Sequence, residues 1–315
     1  MKFIPIDTSK IKTYSLDGRK SKVDSSASGR PFAPGGSFRE FMDTLPGILA
    51  ADGLRQVVSA VAAAALSGRT VALGMGAHVI KVGLTPVIID LMEKDVISAV
   101  AMNGAGIVHD FEMAYQGRTS EDVDNEIGDG SFGMAEETGR MVNRMIASGV
   151  AEGLGLGAAM GKGILGGGYS HPERSLLAAA YRLGIPATVH VAIGTDIVHM
   201  HPSADGAAIG EGSMRDFKLF CSVVASLEDG VYINLGSAVL LPEVFLKAVT
   251  LARNLGSPLS RITTVNMDFV QGYRPNTNVV RRPTMKGGRG YSLTGHHEIM
   301  FPLLAAAILD ELGRG

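Results

Sequence analysis

The sequence predicts an α/β fold in which helices cover both faces of a mostly parallel β-sheet. Short apolar runs rich in Val, Ile or Thr alternate along the chain with longer segments of helical periodicity. The apolar runs are continuous, as expected for strands buried on both faces. A glycine-rich stretch at residues 103–106 follows one run, and such turns at strand ends hold ligands in open α/β sheets.

Each element is predicted from its local pattern. Five apolar runs bounded by turn residues are the predicted strands, at residues 70–74, 97–103, 186–192, 230–236 and 262–268. The segments between and after them carry the predicted helices, at residues 80–93, 107–115, 133–148, 172–183, 214–227, 242–255 and 297–312. This alternation favours one doubly wound sheet.

The first 36 residues are polar and rich in Ser, Lys and Gly, which predicts an N-terminal arm that is ordered only where it docks. Ser37 can cap a helix that runs to about Leu66, and Glu40 at the third helical position completes a capping box. The sequence shows neither a fixed-period repeat nor a dividing linker. We therefore expect a single α/β domain over residues 37–315.

The amino-acid composition argues against several classes of function. The 29 basic and 31 acidic residues give a net charge of -2, which offers no overall attraction to nucleic acid or to an anionic membrane. Cys221 is the single cysteine, so no internal disulfide forms and a cytoplasmic location fits. The amino terminus lacks a signal-peptide pattern. The most apolar long stretch, residues 150–168, contains Glu152 and Lys162, which predicts against a membrane span.

The glycine-rich stretch is the first candidate site. Asn103, Gly104, Ala105 and Gly106 follow a predicted strand and precede a predicted helix, the context of a phosphate-binding turn. The dinucleotide fingerprint is incomplete, because His109 stands where its third glycine would be. The alternative is a tight turn that requires small residues. Residues 161–166 match the fingerprint but follow a helical pattern, so we expect a flexible or closely packed loop there.

Further polar groups lie beside the predicted strand ends. His78 and Lys81 lie where the first strand passes into its helix, and a lysine there opposes the helix dipole unless a substrate carboxylate or phosphate offsets it. The alternative is an ordinary solvated lysine. The pair His296 and His297 either caps the last helix or reaches the carboxyl edge of the sheet.

Asp196, His199 and His201 follow the third predicted strand. Two histidines at this spacing can ligate a metal, with Asp196 or Asp205 as a third ligand. Acid–base or hydrogen-bonding roles are the preferred interpretation, because no established metal motif supports the spacing.

Five short motifs, in order along the chain, carry a family resemblance. They are Val-Gly-Leu at residues 82–84, Asn-Gly-Ala-Gly-Ile-Val-His-Asp-Phe at 103–111, Ile-Pro at 185–186, Leu-Gly-Ser-Ala at 235–238 and Phe-Pro-Leu-Leu at 301–304. Similar places in the deoxyhypusine synthase family read Ser-Gly-Leu, Thr-Ala-Gly-Gly-x-Glu-Glu-Asp-Phe, Ile-Pro, Leu-Gly-Gly-Gly and Phe-Pro-Leu-Leu. The chain therefore resembles that family from about residue 40 to residue 312.

The resemblance implies a Rossmann-like α/β fold, NAD as cofactor and a homotetramer whose sites are shared between subunits. Family members oxidise spermidine and hold the aminobutyl group on a lysine as an imine before passing it to a protein lysine. Near the position of that lysine this chain has Pro283, and proline cannot form an imine. Lys286 is three residues away and can substitute only if the loop is rebuilt. The chain therefore resembles a divergent relative rather than an authentic synthase.

The leading hypothesis is an NAD-dependent enzyme that acts on a small amine or amino-acid-like substrate. Backbone N–H groups at strand tips would approach the dinucleotide. The cofactor-binding candidates are His78, Lys81, Asn103, Gly104, Ala105, Gly106, Gly236, Ser237 and Asp268.

The catalytic candidates are His109, Asp110, Asp196 and Lys286. His109 and Asp110 would lie beside the nicotinamide, where His109, with an ordinary pKa near ~6.5, accepts a substrate proton as hydride leaves. Asp196 or Asp205 would pair with the cationic amine. Lys286 is the candidate for imine formation.

Three alternatives stay open at this point. One is full synthase activity, with Lys286 as the lysine that forms the imine. On the same fold, His78, His109, His199 and His201 could gather a metal for hydrolysis or lyase chemistry. The missing imine lysine also fits a non-catalytic, oligomeric binding protein. The expected partners are a small molecule and further copies of this chain, not nucleic acid or a membrane.

Overall fold

The structure, a computed structural model that describes residues 3–313, is built on one six-stranded parallel sheet. The strands are β1 Val71–Met75, β2 Ala99–Asn103, β3 Ala187–His190, β4 Val231–Leu235, β5 Thr263–Asp268 and β6 Arg289–Thr294. Their order across the sheet is β3-β2-β1-β4-β5-β6, and each neighbouring pair is parallel. This is the strand order of the Rossmann fold, so the predicted fold class is confirmed.

Helices connect the strands and cover the sheet. The α-helices of the described chain are α1 Phe38–Thr44, α2 Leu49–Leu66, α3 His78–Lys81, α4 Thr85–Glu93, α5 Gly104–Gln116, α6 Val123–Glu126, α7 Glu136–Ala151, α8 Leu156–Gly166, α9 Leu176–Leu183, α10 Gly206–Ala225, α11 Leu240–Asn254, α12 Tyr273–Pro275 and α13 His297–Leu312. Short 3-10 helices lie at Leu16–Gly18, Ser25–Ala27, Pro172–Arg174 and Ile197–Met200, and a π-helical turn lies at Asn276–Arg281.

Two hydrophobic cores lie on opposite faces of the sheet. Val71, Leu73 and Met75 of β1 belong to one core, together with side chains of α2, α5, α9 and α13. Ala72 belongs to the other core, together with side chains of α10 and α11. Because successive side chains of a strand point to opposite faces, this division shows that β1 is buried on both sides. Continuous apolar strands are the sequence signature of that arrangement.

The strand β6 is not among the strands predicted from the sequence. β6 pairs with β5 at the edge of the sheet, and most of its residues are exposed. Its sequence, Arg-Gly-Tyr-Ser-Leu-Thr, therefore lacks the continuous apolar run that identifies the five buried strands. Pairing with β5, rather than local pattern, makes this segment a strand.

The predicted capping box is confirmed, but the predicted helix from Ser37 to Leu66 is wrong. The Ser37 backbone N–H donates to Glu40 Oε2 at 2.6 Å, and the Glu40 N–H donates to Ser37 Oγ at 3.3 Å. The helix stops after Thr44 and a second one begins at Leu49. Pro46 causes the break, because it has no N–H to donate and disfavours helical geometry in the residue before it.

The predicted loop at residues 161–166 is also wrong, because these residues complete α8. Its glycines permit close packing of backbones. A β-carbon at Gly157 would lie 2.0 Å from the Ala187 carbonyl oxygen, and one at Gly161 would lie 2.3 Å from the Leu177 carbonyl oxygen. The fingerprint-like spacing therefore reflects helix packing rather than a ligand.

One further feature concerns membranes. Of the described helices, α2 alone is long and apolar enough to span a membrane by length and composition. Its buried side chains, which include Leu54, Val57 and Val61, belong to the core that covers β1. The helix therefore packs as a core element of this fold.

Two aspartates are buried where helices begin. Asp110 accepts the Leu176 N–H at 2.6 Å and the Leu177 N–H at 3.2 Å, at the first turn of α9. Asp216 of α10 accepts the Gly157 N–H at 3.0 Å, at the first turn of α8, and the Val189 N–H at 2.8 Å. Burial raises the pKa of Asp110 to about 6 and that of Asp216 to about 7, although these hydrogen bonds oppose the shift.

These shifts predict how stability depends on pH. Between the unfolded pKa of ~3.9 and the raised folded values, the native state keeps protons that the unfolded state has released. The free energy of unfolding contributed by these groups therefore falls as pH rises through this window. Between about pH 5 and about pH 8, we expect the free energy of unfolding of the wild type to fall by ~1 kcal/mol or more relative to that of Asp216→Asn.

Urea unfolding across this pH range, compared at each pH, measures that difference. Asp129→Asn is the matched control, because Asp129 is exposed and its pKa is lowered by hydrogen bonds from Ser131. Equal pH slopes for the wild type and Asp216→Asn would contradict the prediction.

Candidate active site

A pocket of about 200 Å³ opens at the carboxyl edge of the sheet, beside the end of β2. The first turns of α5 form one wall, α3 a second, and the residues after β3 a third. The segment between α5 and α7 closes it. Its lining residues are Lys81, Ala105, Val108, His109, Glu112, Ser120, Glu121, Val123, Phe132, Thr195, Asp196 and Ile197.

The structure brings four sequence-predicted residues together in this pocket, namely Lys81, Ala105, His109 and Asp196. It adds Glu112 and Glu121, which the sequence analysis did not single out. Glu112 lies three residues after His109, and residues at this spacing share a helix face. That spacing was a usable signal for Glu112. Glu121 lies in an irregular polar segment, where no periodic pattern predicts which way its side chain points.

His109 is held by a chain of hydrogen bonds. Its Nδ1 lies 2.7 Å from Thr119 Oγ1, and the Thr119 hydroxyl donates to Glu112 Oε2 at 2.5 Å. The other oxygen of Glu112 accepts the Thr138 hydroxyl at 2.9 Å. No residue of the described chain forms a hydrogen bond with His109 Nε2. One ring nitrogen is therefore fixed, and the other is free to act.

Burial lowers the pKa of His109 below its ordinary value of 6.5, and the positive charge of Lys81 adds to this effect, while Glu112 opposes it. The imidazole is therefore neutral at pH 7. A neutral imidazole with a free nitrogen in a pocket can accept a proton, which is the requirement for a general base.

The expected phosphate cradle is not open. Gly104, Ala105 and Gly106 form the first turn of α5, and Asn103 precedes it. A β-carbon at Gly104 would lie 1.8 Å from Asp196 Oδ2, so the Asp196 carboxylate already lies against this turn. Gly106 is buried against the Met102 side chain. The helix N-terminus that would attract a phosphate therefore faces a carboxylate of the protein itself.

Burial raises the pKa of Asp196, whereas His199, the Thr195 hydroxyl and the Ala105 amide oppose the shift. The Asp196 side chain is 4% exposed, and its Oδ2 lies 3.8 Å from His199 Nε2. Neither Asp196 Oδ2 nor Asn103 Oδ1 has a hydrogen-bond partner among the described residues, although both atoms are buried. Asp196 lines the pocket and Asn103 does not, so the unsatisfied Asp196 Oδ2 is the acceptor that points to a ligand that donates hydrogen bonds.

Two predicted catalytic residues lie elsewhere. Asp110 is fully buried at the start of α9, and it therefore does not reach the pocket. Lys286 is exposed and lies three residues before β6 begins, at the amino edge of the sheet. Because β6 is parallel to β5, that edge is opposite the pocket within one chain. Within one chain, therefore, neither Asp110 nor Lys286 reaches this pocket.

Gly236 and Ser237 also differ from the expectation. The Gly236 N–H donates to the Met267 carbonyl at 3.0 Å, and Ser237 Oγ accepts the Leu241 N–H at 3.2 Å. Gly236 has a φ of 65°, and a β-carbon at Gly76 would lie 2.3 Å from its carbonyl oxygen. The turn thus brings the tips of β1 and β4 into backbone contact, and the Gly236 amide is unavailable to a ligand.

A second group of predicted residues gathers over β1, β4 and β5. The His78 ring lies 5.7 Å from that of His297 and 6.4 Å from that of Phe269, and Phe269 stacks on His296 at 5.8 Å. Asp268 Oδ1 lies 3.4 Å from His297 Nε2. We call these five residues the ring cluster. His297 is 1% exposed and neither of its ring nitrogens forms a hydrogen bond within the described chain.

The histidines considered for a metal do not converge. His201 contacts Glu136 and Ser203, and His199 lies beside Asp196. His78 belongs to the ring cluster and His109 to the pocket. Within residues 3–313 no group of three or more His, Cys, Asp or Glu side chains is arranged to hold a metal ion. The geometry therefore gives the metal hypothesis no support.

The close packing at Gly104 predicts that a single methyl group added at this position destabilises the protein. Gly104→Ala would drive a β-carbon into Asp196 Oδ2, so Asp196 must leave the N-terminus of α5. We expect a loss of ~1–3 kcal/mol in the free energy of unfolding. Gly210→Ala, in the second turn of α10 with nothing within 4 Å of its β-carbon, is the matched control and should be neutral or stabilising. Equal stability of the two variants in urea unfolding would show that Asp196 is not confined there.

Comparisons with known proteins support the fold. No protein-family model and no curated protein matches the sequence. Solved structures do match. A ternary complex of AgrE with ornithine and NAD+ has a TM-score of 0.55 at 16% identity, over 83% of this chain and 33% of AgrE. ArgZ, an arginine dihydrolase from the ornithine–ammonia cycle in cyanobacteria, has a TM-score of 0.52 at 14% identity, over 84% of this chain and 33% of ArgZ.

A putative deoxyhypusine synthase from Entamoeba histolytica matches nearly end to end. Its TM-score is 0.53 at 14% identity, over 90% of this chain and 96% of that protein. The present chain thus spans about a third of the length of AgrE and ArgZ and almost all of the putative synthase. At these identities the likeness establishes the fold alone. The fold that the sequence resemblance implied, that of the deoxyhypusine synthase-like proteins, is the fold that this chain has.

Proposed function

We propose that the protein is an NAD-dependent enzyme that acts on an amino-acid-like amine, with His109 as the general base. The observation that carries this proposal is the free Nε2 of a neutral His109 in a pocket of about 200 Å³. A partly buried base with one fixed and one free nitrogen is suited to proton transfer.

The charges of the pocket suit a substrate with an ammonium and a carboxylate group. Glu112, Glu121 and Asp196 line it, together with Lys81, which forms no ion pair within residues 3–313. Burial raises the pKa of Glu121, and the nearby charges of Glu126 and Glu112 add to the shift, against the Gly133 amide. A cation relieves such repulsion between carboxylates. Lys81 would then bind the carboxylate of the substrate.

The unsatisfied acceptors refine this assignment. Asp196 Oδ2 and Asn103 Oδ1 are buried at the N-terminus of α5 and lack donors in the described chain. An ammonium group has three N–H donors and a positive charge, so in the pocket it would satisfy Asp196 Oδ2. AgrE, of which this chain matches about a third, forms a complex with ornithine and NAD+, which agrees with an amino acid bearing a second amine.

The residues fit a dinucleotide in part. The N-terminus of α5 does not suit a phosphate while Asp196 lies there. The ring cluster does suit a heterocycle, since His78, Phe269 and His296 are exposed rings. Asp268 is buried, with its Oδ1 3.4 Å from His297 Nε2, and its second carboxylate oxygen would accept a ribose hydroxyl. α3 carries His78 at one end and Lys81 at the other, so the ring cluster and the pocket are about one helical turn apart along α3. NAD, when bound, would supply a hydride acceptor.

The side chains of the pocket would then have separate tasks. Asp196 holds the ammonium group and so orients the carbon that bears it. His109 Nε2 takes the proton released when that carbon is oxidised. Val123 and Phe132 cover the pocket and exclude water, which strengthens each electrostatic contact.

We also propose that the protein is a homo-oligomer, as the resemblance implies. Several apolar side chains of the N-terminal segment are more than 80% exposed, among them Phe3, Ile4 and Ile6. Exposed apolar side chains of this size favour burial in a partner. Light scattering of the full chain tests this proposal, and a monomer at micromolar concentration contradicts it.

Cofactor binding is the first prediction of the proposed function. Titration of NAD into the pure protein should release or absorb heat, and Asp268→Ala should weaken the affinity about tenfold or more, because a carboxylate facing a ribose forms charge-assisted hydrogen bonds. Asp129→Ala, at an exposed turn, is the control and should bind like the wild type. A flat trace at millimolar NAD would remove the cofactor from the proposal.

Catalysis is the second prediction. Ornithine, arginine and the diamine putrescine, each with NAD, form a first substrate panel, and NADH absorbance is the measurement. His109→Gln should lower kcat by about 10²–10⁴-fold, the usual contribution of a general base. Lys286→Met should retain full activity, because Lys286 lies at the opposite edge of the sheet.

The dependence on pH follows from the lowered pKa of His109. The base must be neutral, so kcat/KM should rise with pH and level off, with a midpoint below the ordinary value of 6.5. A His109→Gln variant as active as the wild type would overturn the assignment of the base. Loss of activity in Lys286→Met would show that Lys286 contributes to a site, and within one chain it does not reach this pocket.

A further inference from the structure

We propose that Thr119 is a positioning residue that fixes the tautomer of His109 and ties that tautomer to the segment closing the pocket. The proposal rests on the proposed role of His109 as the base. The segment, which we call the closing segment, comprises residues 117–135 between α5 and α7.

Proton counting on Thr119 sets the direction of each hydrogen bond. A threonine hydroxyl has one proton, and a carboxylate can only accept, so the Thr119 proton goes to Glu112 Oε2 at 2.5 Å. Thr119 Oγ1 can then only accept at its 2.7 Å contact with His109 Nδ1. The proton of the neutral imidazole is therefore on Nδ1. The lone pair of Nε2, the nitrogen without a partner in the described chain, is left for the substrate.

Glu112 is the fixed end of the series of hydrogen bonds that begins at His109. The residue is 8% exposed, and Thr138 of α7 donates to its Oε1 at 2.9 Å while Thr119 donates to Oε2. With one donor on each oxygen, the carboxylate plane is set by α5 and α7 together. The acceptor that orients Thr119 therefore belongs to the rigid part of the fold.

Thr119 itself lies near the start of the closing segment, which also supplies Ser120, Glu121, Val123 and Phe132 to the pocket. Glu121 Oε2 accepts the Gly133 N–H at 2.9 Å and so joins the two ends of the segment. The same closure that covers the pocket thus brings Thr119 to His109. In this arrangement the base has its productive tautomer when the pocket is closed.

The decisive measurement is the ¹⁵N NMR spectrum of protein labelled at histidine, in the absence of substrate and cofactor. The shifts of the two ring nitrogens report which one carries the proton, and the signals lost in His109→Gln assign the residue. We expect His109 of the wild type to be protonated on Nδ1. Thr119→Val should shift the population towards Nε2–H, whereas Thr119→Ser should retain the wild-type signature.

A control variant distinguishes the loss of the Thr119 hydrogen bonds from a general disturbance of the fold. Thr250→Val removes a hydroxyl that bonds only to the Leu246 carbonyl on the far helix α11, so it should leave the His109 signals unchanged. If Thr119→Val does not fold, Thr119→Ala takes its place. An Nε2–H tautomer in the wild type, or a Thr119→Val spectrum identical to the wild type, would overturn the proposal.

Kinetics give a second readout once a substrate is identified. Thr119→Val should lower kcat about tenfold or more with little change in KM, since the wrong tautomer binds substrate but cannot accept the proton. Thr119→Ser should restore kcat. The two proposals can fail separately. A Thr119→Val spectrum identical to that of the wild type would remove the positioning role and leave His109 as the base, whereas an Nε2–H tautomer in the wild type would contradict both. A protein that shows the expected tautomer but no turnover would contradict the proposed function alone.

Discussion

Buried aspartates at helix N-termini are the interaction on which the rest of this structure depends. Asp110 binds the first turn of α9, Asp216 binds the first turn of α8 and the edge of β3, and Asp196 lies against the first turn of α5. A helix N-terminus exposes unpaired N–H groups and the positive end of the helix dipole. The side-chain oxygens of Asp110 and Asp216 accept hydrogen bonds from these N–H groups inside the protein. The first turns of α8 and α9 are thereby held by side chains of other helices.

This arrangement changes the meaning of the Rossmann-like carboxyl edge. In folds of this kind the turn after a strand commonly receives a phosphate at a helix N-terminus. Here the turn after β2 faces Asp196, and its glycines permit that approach. The site is consequently rich in acceptors and poor in free donors. Such a lining suits a cationic amine, and the ring cluster over β4 and β5 is the part that suits a flat heterocycle.

The pocket shows how separate segments combine into one electrostatic unit. α5 supplies His109 and Glu112, α3 supplies Lys81, the loop after β3 supplies Asp196, and the closing segment supplies Glu121. Only the hydrogen bonds through Thr119 and Thr138 make the imidazole and the carboxylate act together. The neutral state of His109 arises from burial, a property of the assembled fold rather than of the helix that bears it.

The sequence by itself determined the sheet and the neighbourhood of the chemistry. Continuous apolar runs identify five buried strands, because burial on both faces leaves no polar alternation, and the strand-to-helix passages place His78, Lys81, His109 and Asp196 at one edge. Tertiary structure alone decided the rest. β6 is a strand because it pairs with β5, and α8 is a glycine-rich helix because its neighbours approach closely. Asp110 and Asp196 are both acidic residues near strand ends, and only the tertiary packing places Asp110 in the core and Asp196 in the pocket. A local pattern records which face of an element is apolar, but the direction of a polar side chain depends on partners distant in sequence.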